Sequence, residues 1–130
     1  MMELTINGQV YEFNFGMRFL REINKTAKTS AGDAEKNIGF RYAAAGIIDR
    51  DPETLVEVLY TANAGQNPRV TRELLDSYID DPETDIDGLF EETMDFFGKT
   101  NATKTQTKKL LEEVEKMKKA EEAKMMQGRA

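Results

Sequence analysis

An Asn-Gly pair flanked by alternating apolar residues is the feature that most constrains how this chain folds. Residues 3–15 read ELTINGQVYEFNF, and Asn7-Gly8 suits a two-residue type I′ turn because both central residues of that turn need positive φ. This turn sets three opposed pairs: Ile6 with Gln9, Leu4 with Tyr11, and Met2 with Phe13. The resulting hairpin has one apolar face. Because an isolated two-stranded hairpin is only marginally stable in water, that face has to rest on helices or on another chain.

Helical periodicity dominates the residues that follow. After Gly16, a first helix carries apolar residues at helical spacing, namely Phe19, Leu20, Ile23 and Ala27. The polar stretch TSAGDAEK, residues 29–36, is predicted to be a mobile loop. Residues 38–49 form an Ala-rich apolar helix, and its glycines at 39 and 46 predict close packing against neighbouring helices.

The tetrapeptide Asp-Pro-Glu-Thr occurs twice, at 51–54 and 81–84. It predicts a helix start in both places, because Asp is a favoured N-cap and Pro is tolerated at the first helical position. Between the two, Thr71 is predicted to cap a short helix. The apolar faces expected for the three helices are Leu55, Val56, Leu59 and Tyr60 for the first, Leu74, Leu75, Tyr78 and Ile79 for the second, and Ile86, Leu89, Phe90, Met94 and Phe97 for the third.

The last part of the sequence, residues 104–130, is predicted to be a projecting and partly disordered amphipathic helix. Residues 99–107 are interpreted as a polar hinge, with Thr103 as the helix cap. The helix has a thin apolar stripe, which fails at Glu121. That stripe is too narrow for a core and is predicted to bind a partner through Leu110, Leu111, Val114 and Met117.

The predicted fold is therefore mostly α. An N-terminal β-hairpin packs on a compact bundle of short helices over residues 1–103, and residues 104–130 project from it. The predicted core consists of the apolar residues on the inner faces: Leu4, Ile6, Phe13, Phe15, Leu20, Ile23, Ile47, Leu55, Leu59, Leu75, Ile79, Leu89, Phe90 and Phe97.

Composition restricts the chemistry that the chain can perform. It contains no cysteine and no histidine, which excludes disulfides, zinc–thiolate sites and the usual proton shuttle. Residues 83–94 approach a calcium loop with Gly88 at the sharp turn, but Met94 stands where a bidentate Glu is needed. Their acids are better explained as charges at a helix N-terminus. We expect no catalysis, no cofactor and no metal.

Charge is distributed unevenly along the chain. Residues 104–130 carry eight Lys/Arg and five Glu, a net charge of +3, whereas residues 1–103 carry 10 basic and 19 acidic residues, a net charge of −9. The acidic part argues against nucleic-acid binding, and the basic end permits end-to-body association between copies. No apolar run approaches the roughly 20 residues that cross a bilayer, so we expect a cytoplasmic protein with no membrane segment.

Three pieces of the sequence, taken in order, carry a resemblance to a known family. They are the ING turn followed by Tyr11-Glu12-Phe13, the segment FGMRFLREI, and the pair of short helices around residues 77–90. From about residue 2 to about residue 111 the chain resembles the phage tail assembly chaperones of long-tailed siphophages that infect Gram-positive bacteria.

The resemblance implies a specific role and specific partners. Such chaperones act in the host cytoplasm and are absent from the mature virion. They bind the tape-measure protein, keep it soluble and help to recruit subunits of the major tail (tube) protein. The resemblance also implies that this chain is a short form, whose frameshifted longer form contacts the tube protein. From the residues themselves, the apolar stripe and the basic charge of the C-terminal helix predict that copies associate head to tail into rings or spirals.

Two other functions are open from the residues alone. A small phage regulatory or inhibitory protein would use its acidic surface, including the acid-rich residues 80–95, to capture a host factor or to mimic DNA. A structural tail component would have the same helical character and would be present in purified virions.

Overall fold

Two antiparallel hairpins and six helices make up the part of the chain that the computed structural model describes, which is residues 1–26, 28–31 and 34–127. The elements are β1 Met2–Ile6, β2 Gln9–Phe13, α1 Met17–Asn24, β3 Lys28–Ala31, β4 Ala34–Asn37, α2 Gly39–Ile48, α3 Pro52–Ala62, α4 Arg72–Asp80, α5 Ile86–Lys99 and α6 Lys104–Gln127. The predicted architecture, mostly α with an N-terminal hairpin and a long last helix, is confirmed.

The first hairpin has the predicted register and turn. Its strands pair Ile6 with Gln9 and Met2 with Phe13, and Asn7 and Gly8 have φ of 51° and 79°. Every second residue of β1 is buried, and Phe13 at the end of β2 has no exposed surface. The apolar face of the hairpin therefore lies in the core of the molecule.

The structure corrects the prediction of a loop at 29–36. Strands β3 and β4 pair antiparallel there, with Thr29 opposite Lys36 and Ala31 opposite Ala34. The strands lack the apolar alternation that marks a half-buried strand, so their polar composition hid them. Residue 27, which was predicted on the face of α1, lies outside the described residues; α1 itself ends at Asn24.

One hydrophobic core joins the first hairpin to helices α1–α5. Of the predicted core, only Leu20 and Ile79 are partly rather than fully buried. The rings of Phe15, Phe19, Phe40 and Phe97 pack together at its centre. The Phe40 and Phe97 centroids lie 5.1 Å apart, with the rings nearly edge-to-face. The buried apolar residues missing from the predicted set are Met2, Phe19, Phe40, Ala43, Ala44, Val58, Ala62 and Val70.

Helix α3 turns a slightly different face to the core than predicted. Val58 is fully buried, whereas Val56 is only partly buried. The predicted close packing of α2 is confirmed: a Cβ at position 39 would collide with the Ile23 carbonyl. Only glycine allows α2 to approach α1 this closely.

The two Asp-Pro-Glu-Thr sequences have different structures. Asp51 caps α3, because its carboxylate accepts from the Glu53 N–H at 3.2 Å and the helix begins at Pro52. The second copy is a turn, and α5 begins at Ile86 with Asp85 as its N-cap. The Asp85 carboxylate accepts from the Gly88 N–H at 3.0 Å. The prediction of a helix start at 81–84 is therefore wrong. The interpretation of the acids in residues 83–94 as charges at a helix N-terminus is correct for Asp85 and Asp87, whereas Glu83 lies in the preceding turn.

A buried asparagine ties the hairpin to the helices. Asn63, which has no exposed surface, follows α3. Its amide donates to the Glu12 carbonyl at 2.9 Å, and its carbonyl oxygen accepts from the Val70 N–H at 2.7 Å. The Asn14 N–H also donates to the Ala62 carbonyl. Strand β2 is thus attached to α3 by hydrogen bonds as well as by packing.

Candidate partner-binding surface

The four residues predicted to bind a partner lie on α6, and the structure divides them into two pairs. Leu110 packs on the core, and Val114 is also partly buried. Leu111 and Met117 keep 47% and 65% of their surface exposed. Thr107, Leu110 and Val114 are spaced three and four apart, which places them on one face of the helix. This face rests on the rest of the molecule, whereas every described residue from 115 onwards is exposed.

These facts define two parts of the chain. We call residues 115–127 the arm, and the described residues before position 115 the body. The arm has 13 residues and spans about 20 Å as a helix. It continues α6 without a break, so it leaves the body as an extension of a helix whose first turns are fixed.

The connection between α5 and α6 contains two buried threonines. Thr103 and Thr107 are 0% and 1% exposed. The Thr103 hydroxyl donates to the Phe97 carbonyl at 2.7 Å, and the Thr107 hydroxyl donates to the Thr103 carbonyl at 2.9 Å. The Phe97 carbonyl lies in the last turn of α5, where an ending helix leaves carbonyls without partners. The Thr103 carbonyl lies at the start of α6 and also accepts from the Thr107 N–H at 3.0 Å. The interpretation of residues 99–107 as a polar hinge is therefore wrong. Thr103 does precede α6, but its hydroxyl bonds back to α5 and does not cap α6.

An ion pair fixes the next turns of α6 to α2. The Arg41 guanidinium lies 2.8 Å from the Glu113 carboxylate, and both side chains are about half exposed. An exposed pair of this kind contributes only about 0.2–1 kcal/mol. It orients α6, and the buried threonine and the partly buried leucine before it supply most of the attachment.

A groove of about 600 Å³ lies between the C-terminal end of α2, helix α5 and helix α6, and we call it the groove beneath Leu111. Its apolar lining consists of Ile47, Ile48, Phe90, Met94 and Leu111. Its charged rim is balanced, with Arg50 and Lys99 set against Glu91 and Asp95. Leu111 also borders a second hollow of about 690 Å³ that is lined mostly by α6. Leu111 is thus an exposed apolar ridge between two hollows.

Exposed methionines extend the apolar surface along the arm. Met117, Met125 and Met126 keep 65%, 64% and 76% of their surface exposed. Methionine is flexible and polarisable, which suits it to surfaces that adapt to partners of different shape. The stripe predicted from the sequence ends at Glu121 and therefore leaves out Met125 and Met126. The signal that reveals Met125 is its eight-residue spacing from Met117, which keeps it within the same wide apolar stripe. Met126 lies nine residues from Met117, on the opposite side of the helix, and the spacing does not reveal it.

Comparison with known protein families identifies the chain. The family model described as "Phage tail assembly chaperone protein, TAC" matches residues 3–112, well over half of the sequence. This chain is a phage tail assembly chaperone family member. No curated protein and no solved structure gives a significant match. The family role is a non-enzymatic one in the assembly of phage tails inside the host.

The family match ends within α6, before the arm begins. The match includes the first hairpin, α1–α5, the buried threonines and the first turns of α6, and it ends at residue 112. The arm of this family member lies beyond it. Within the ranges that the structure describes, no group of three or more His, Cys, Asp or Glu residues is placed to hold a metal ion. No helix among them is long and apolar enough to span a membrane.

Proposed function

We propose that this chain binds the tape-measure protein of its phage in the host cytoplasm and keeps that protein soluble until the tail tube has formed around it. The observation that carries the proposal is the arm, which presents three exposed methionines while 20 other apolar residues are buried. Such a surface is energetically unfavourable in water and suits an apolar helix of a partner. The chaperone acts by binding and is absent from the finished virion.

Copies of the chaperone associate through the stripe of Leu110, Leu111, Val114 and Met117 on α6, in which Leu111 and Met117 make the contacts to a neighbour. Leu111 and Met117 are open to a neighbour, and Leu110 and Val114 hold the helix to its own body. The charge of +3 on residues 104–130 is attracted to the charge of −9 on residues 1–103 of the next copy. One arm on the next body is a head-to-tail contact, which generates rings or open spirals.

The tail-tube protein is the second partner in this proposal. A longer form of the chain, produced by a frameshift, would extend the polypeptide beyond α6 and contact tube subunits. The direction of the arm, away from the body, supports an extension at that end. In this proposal residues 1–103 act as a folded domain and residues 104–130 as an interaction helix, whose first turns, up to Val114, are anchored on that domain.

Co-expression with the tape-measure protein of the same phage tests the proposal. We expect the chaperone to co-purify with that protein and to raise its soluble yield. A variant with Met117→Lys and Met125→Lys should lose most of this effect, whereas Met17→Lys, at an exposed methionine on α1, should keep it. If the wild-type chain neither co-purifies with the tape-measure protein nor changes its solubility, the proposal is wrong. Mass spectrometry of purified virions provides a second measurement, because finding the chain there would indicate a structural tail component.

A further inference from the structure

A second groove, of about 500 Å³, lies between α3 and α4. One face of each helix lines it: Pro52, Glu53, Val56 and Glu57 from α3, and Arg72, Asp76, Ile79 and Asp80 from α4. The apolar residues Val56 and Ile79 are partly buried and form its floor. The charged residues are exposed along both sides. We call this the α3–α4 groove.

The α3–α4 groove is strongly negative. Four of its lining residues are acids, and Arg72 is its one base. Arg72 donates two hydrogen bonds to the Glu57 carboxylate, at 2.8 and 3.1 Å, and its guanidinium lies 4.0 Å from the centre of the Tyr60 ring. The hydrogen bond with Glu57 raises the pKa of Arg72 above its ordinary value. A neighbouring hollow of about 350 Å³ shares Glu53 and Glu57 and adds Asp51, which extends the negative surface.

Other grooves on the described surface have different linings. The groove beneath Leu111 has two bases and two acids. The hollow beside Tyr60 has Arg69 and Arg72 against a single acid, Glu73. Among these, the α3–α4 groove combines an apolar floor with an excess of negative charge. It therefore fits an amphipathic helix whose apolar residues are flanked by lysines.

The arm has such a face. Met117 and Met125 lie eight residues apart, and Lys118 and Lys124 each lie seven residues from one of them, so all four share one side of the helix. Glu121 lies between the two methionines on the same side. The lysines match the acids on the sides of the groove, and this one acid matches Arg72, the one base in the groove.

We propose that the α3–α4 groove receives the arm of a second copy of this chain, with Met117 and Met125 on Val56 and Ile79 and with Lys118 and Lys124 facing Glu53, Asp76 and Asp80. This inference rests on the proposed association through α6 and names the surface that receives it. The arm of the same copy does not line the groove. The contact therefore joins different copies. It leaves Met126, on the opposite side of the arm from Met117, and the groove beneath Leu111 open for the tape-measure helix.

A charge exchange tests the proposal on the full chain by sedimentation velocity at low salt. Glu53→Lys with Asp76→Lys reverses the groove, and Lys118→Glu with Lys124→Glu reverses the arm. Each pair should weaken association about tenfold, and combining all four should restore most of it. The matched control is Glu83→Lys with Glu92→Lys, which changes the net charge equally at exposed acids that line neither the α3–α4 groove nor the hollow beside it. It should leave association near that of the wild type.

The possible outcomes distinguish an error in the groove assignment from an error in the proposed association through α6. If the wild type is monomeric, or if a chain ending at Val114 associates as the wild type does, both proposals are wrong. The groove assignment alone is wrong if the arm is required but the groove reversal weakens association no more than the control does. It is also wrong if the variant with all four substitutions does not regain association. Circular dichroism checks that each variant is folded.

Thiol cross-linking provides a measurement that does not depend on charge. The chain contains no cysteine, so Ile79→Cys in one copy and Met117→Cys in another form a unique pair. A short bifunctional thiol reagent should join these two variants when they are mixed. Ile48→Cys, in the groove beneath Leu111, should not be joined to Met117→Cys. The reverse preference would overturn the assignment.

Discussion

The hairpin at one end of the chain and the helix at the other are both elements with little stability of their own, but the hairpin is buried and most of the helix is exposed. Three of the five residues of β1 are buried, and β2 is bonded to α3 through Glu12 and Asn63. In α6, which has 24 residues, Thr107 is the one fully buried residue. The hairpin is therefore part of the core, whereas most of α6 contributes surface and not stability. The difference separates the part that maintains the fold from the part available to partners.

The largest effect should come from removing the hairpin's deepest side chain. Phe13→Ala leaves a cavity at a residue with no exposed surface, and we expect it to lower the free energy of unfolding by about 3–5 kcal/mol. Leu59→Ala in α3 should lower it by about 2–5 kcal/mol. The control Val10→Ala, on the outer face of the same hairpin, should change it by less than about 0.5 kcal/mol. Urea denaturation measures all three. A loss below half a kcal/mol at both Phe13 and Leu59 would contradict the assignment of the hairpin to the core.

The next largest effect should come from the hydrogen bonds that attach the hairpin. Asn63→Ala leaves the Glu12 carbonyl and the Val70 N–H buried without this partner, and we expect a loss of about 1–3 kcal/mol. Asn101→Ala, at an exposed asparagine, is the control and should be nearly neutral. Equal denaturation midpoints for the two variants would show that packing alone holds the hairpin.

A smaller loss of stability should result from weakening the attachment of α6 to the body. Thr107→Val keeps the shape of the side chain but removes its hydrogen bond to the Thr103 carbonyl, and we expect a loss of about 0.5–1.5 kcal/mol. Thr105→Val, two residues earlier in the same helix and exposed, should have no such effect. If the two variants melt at the same temperature, the first turn of α6 does not belong to the body.

The smallest effect on stability should follow the largest deletion. Every described residue that is lost when the chain ends after Val114 is exposed, so the free energy of unfolding of the monomer should change by less than about 0.5 kcal/mol. Higher-order species in light scattering should nevertheless disappear. A large loss of stability with unchanged assembly would reverse the roles assigned to the two ends.

Much of the fold was predictable because local signals and burial agree. The Asn-Gly turn and the alternation in β1 give one register, and Thr71 caps α4 as expected, accepting from the Leu74 N–H at 3.1 Å. The β3–β4 hairpin was missed because neither of its faces is apolar enough to show a period of two. Of the candidate site, Leu111 and Met117 lie on the open surface as expected, whereas the attachment of Leu110 and Val114 depends on which neighbours they meet.

The two Asp-Pro-Glu-Thr sequences show why local signals are insufficient. In both, the aspartate accepts from the glutamate N–H two residues on, at 3.2 and 3.0 Å. The Thr54 hydroxyl then donates to Asp51, but the Thr84 hydroxyl donates to the Tyr78 carbonyl at the end of α4. A second cap, Asp85, follows the later copy and begins the helix instead. The nearby end of α4 and a competing aspartate decide the outcome.

The buried threonine in the first turn of α6 has a geometric consequence for the arm. Because one continuous helix runs from that anchor to Gln127, the azimuth of the methionines around the helix axis is fixed relative to the body. Inserting a single alanine after Val114 would rotate them by about 100°, whereas inserting seven residues would rotate them by only about 20° and advance them by about 10 Å. In the proposed head-to-tail association, the length of this helix therefore sets both the distance and the rotation between successive copies.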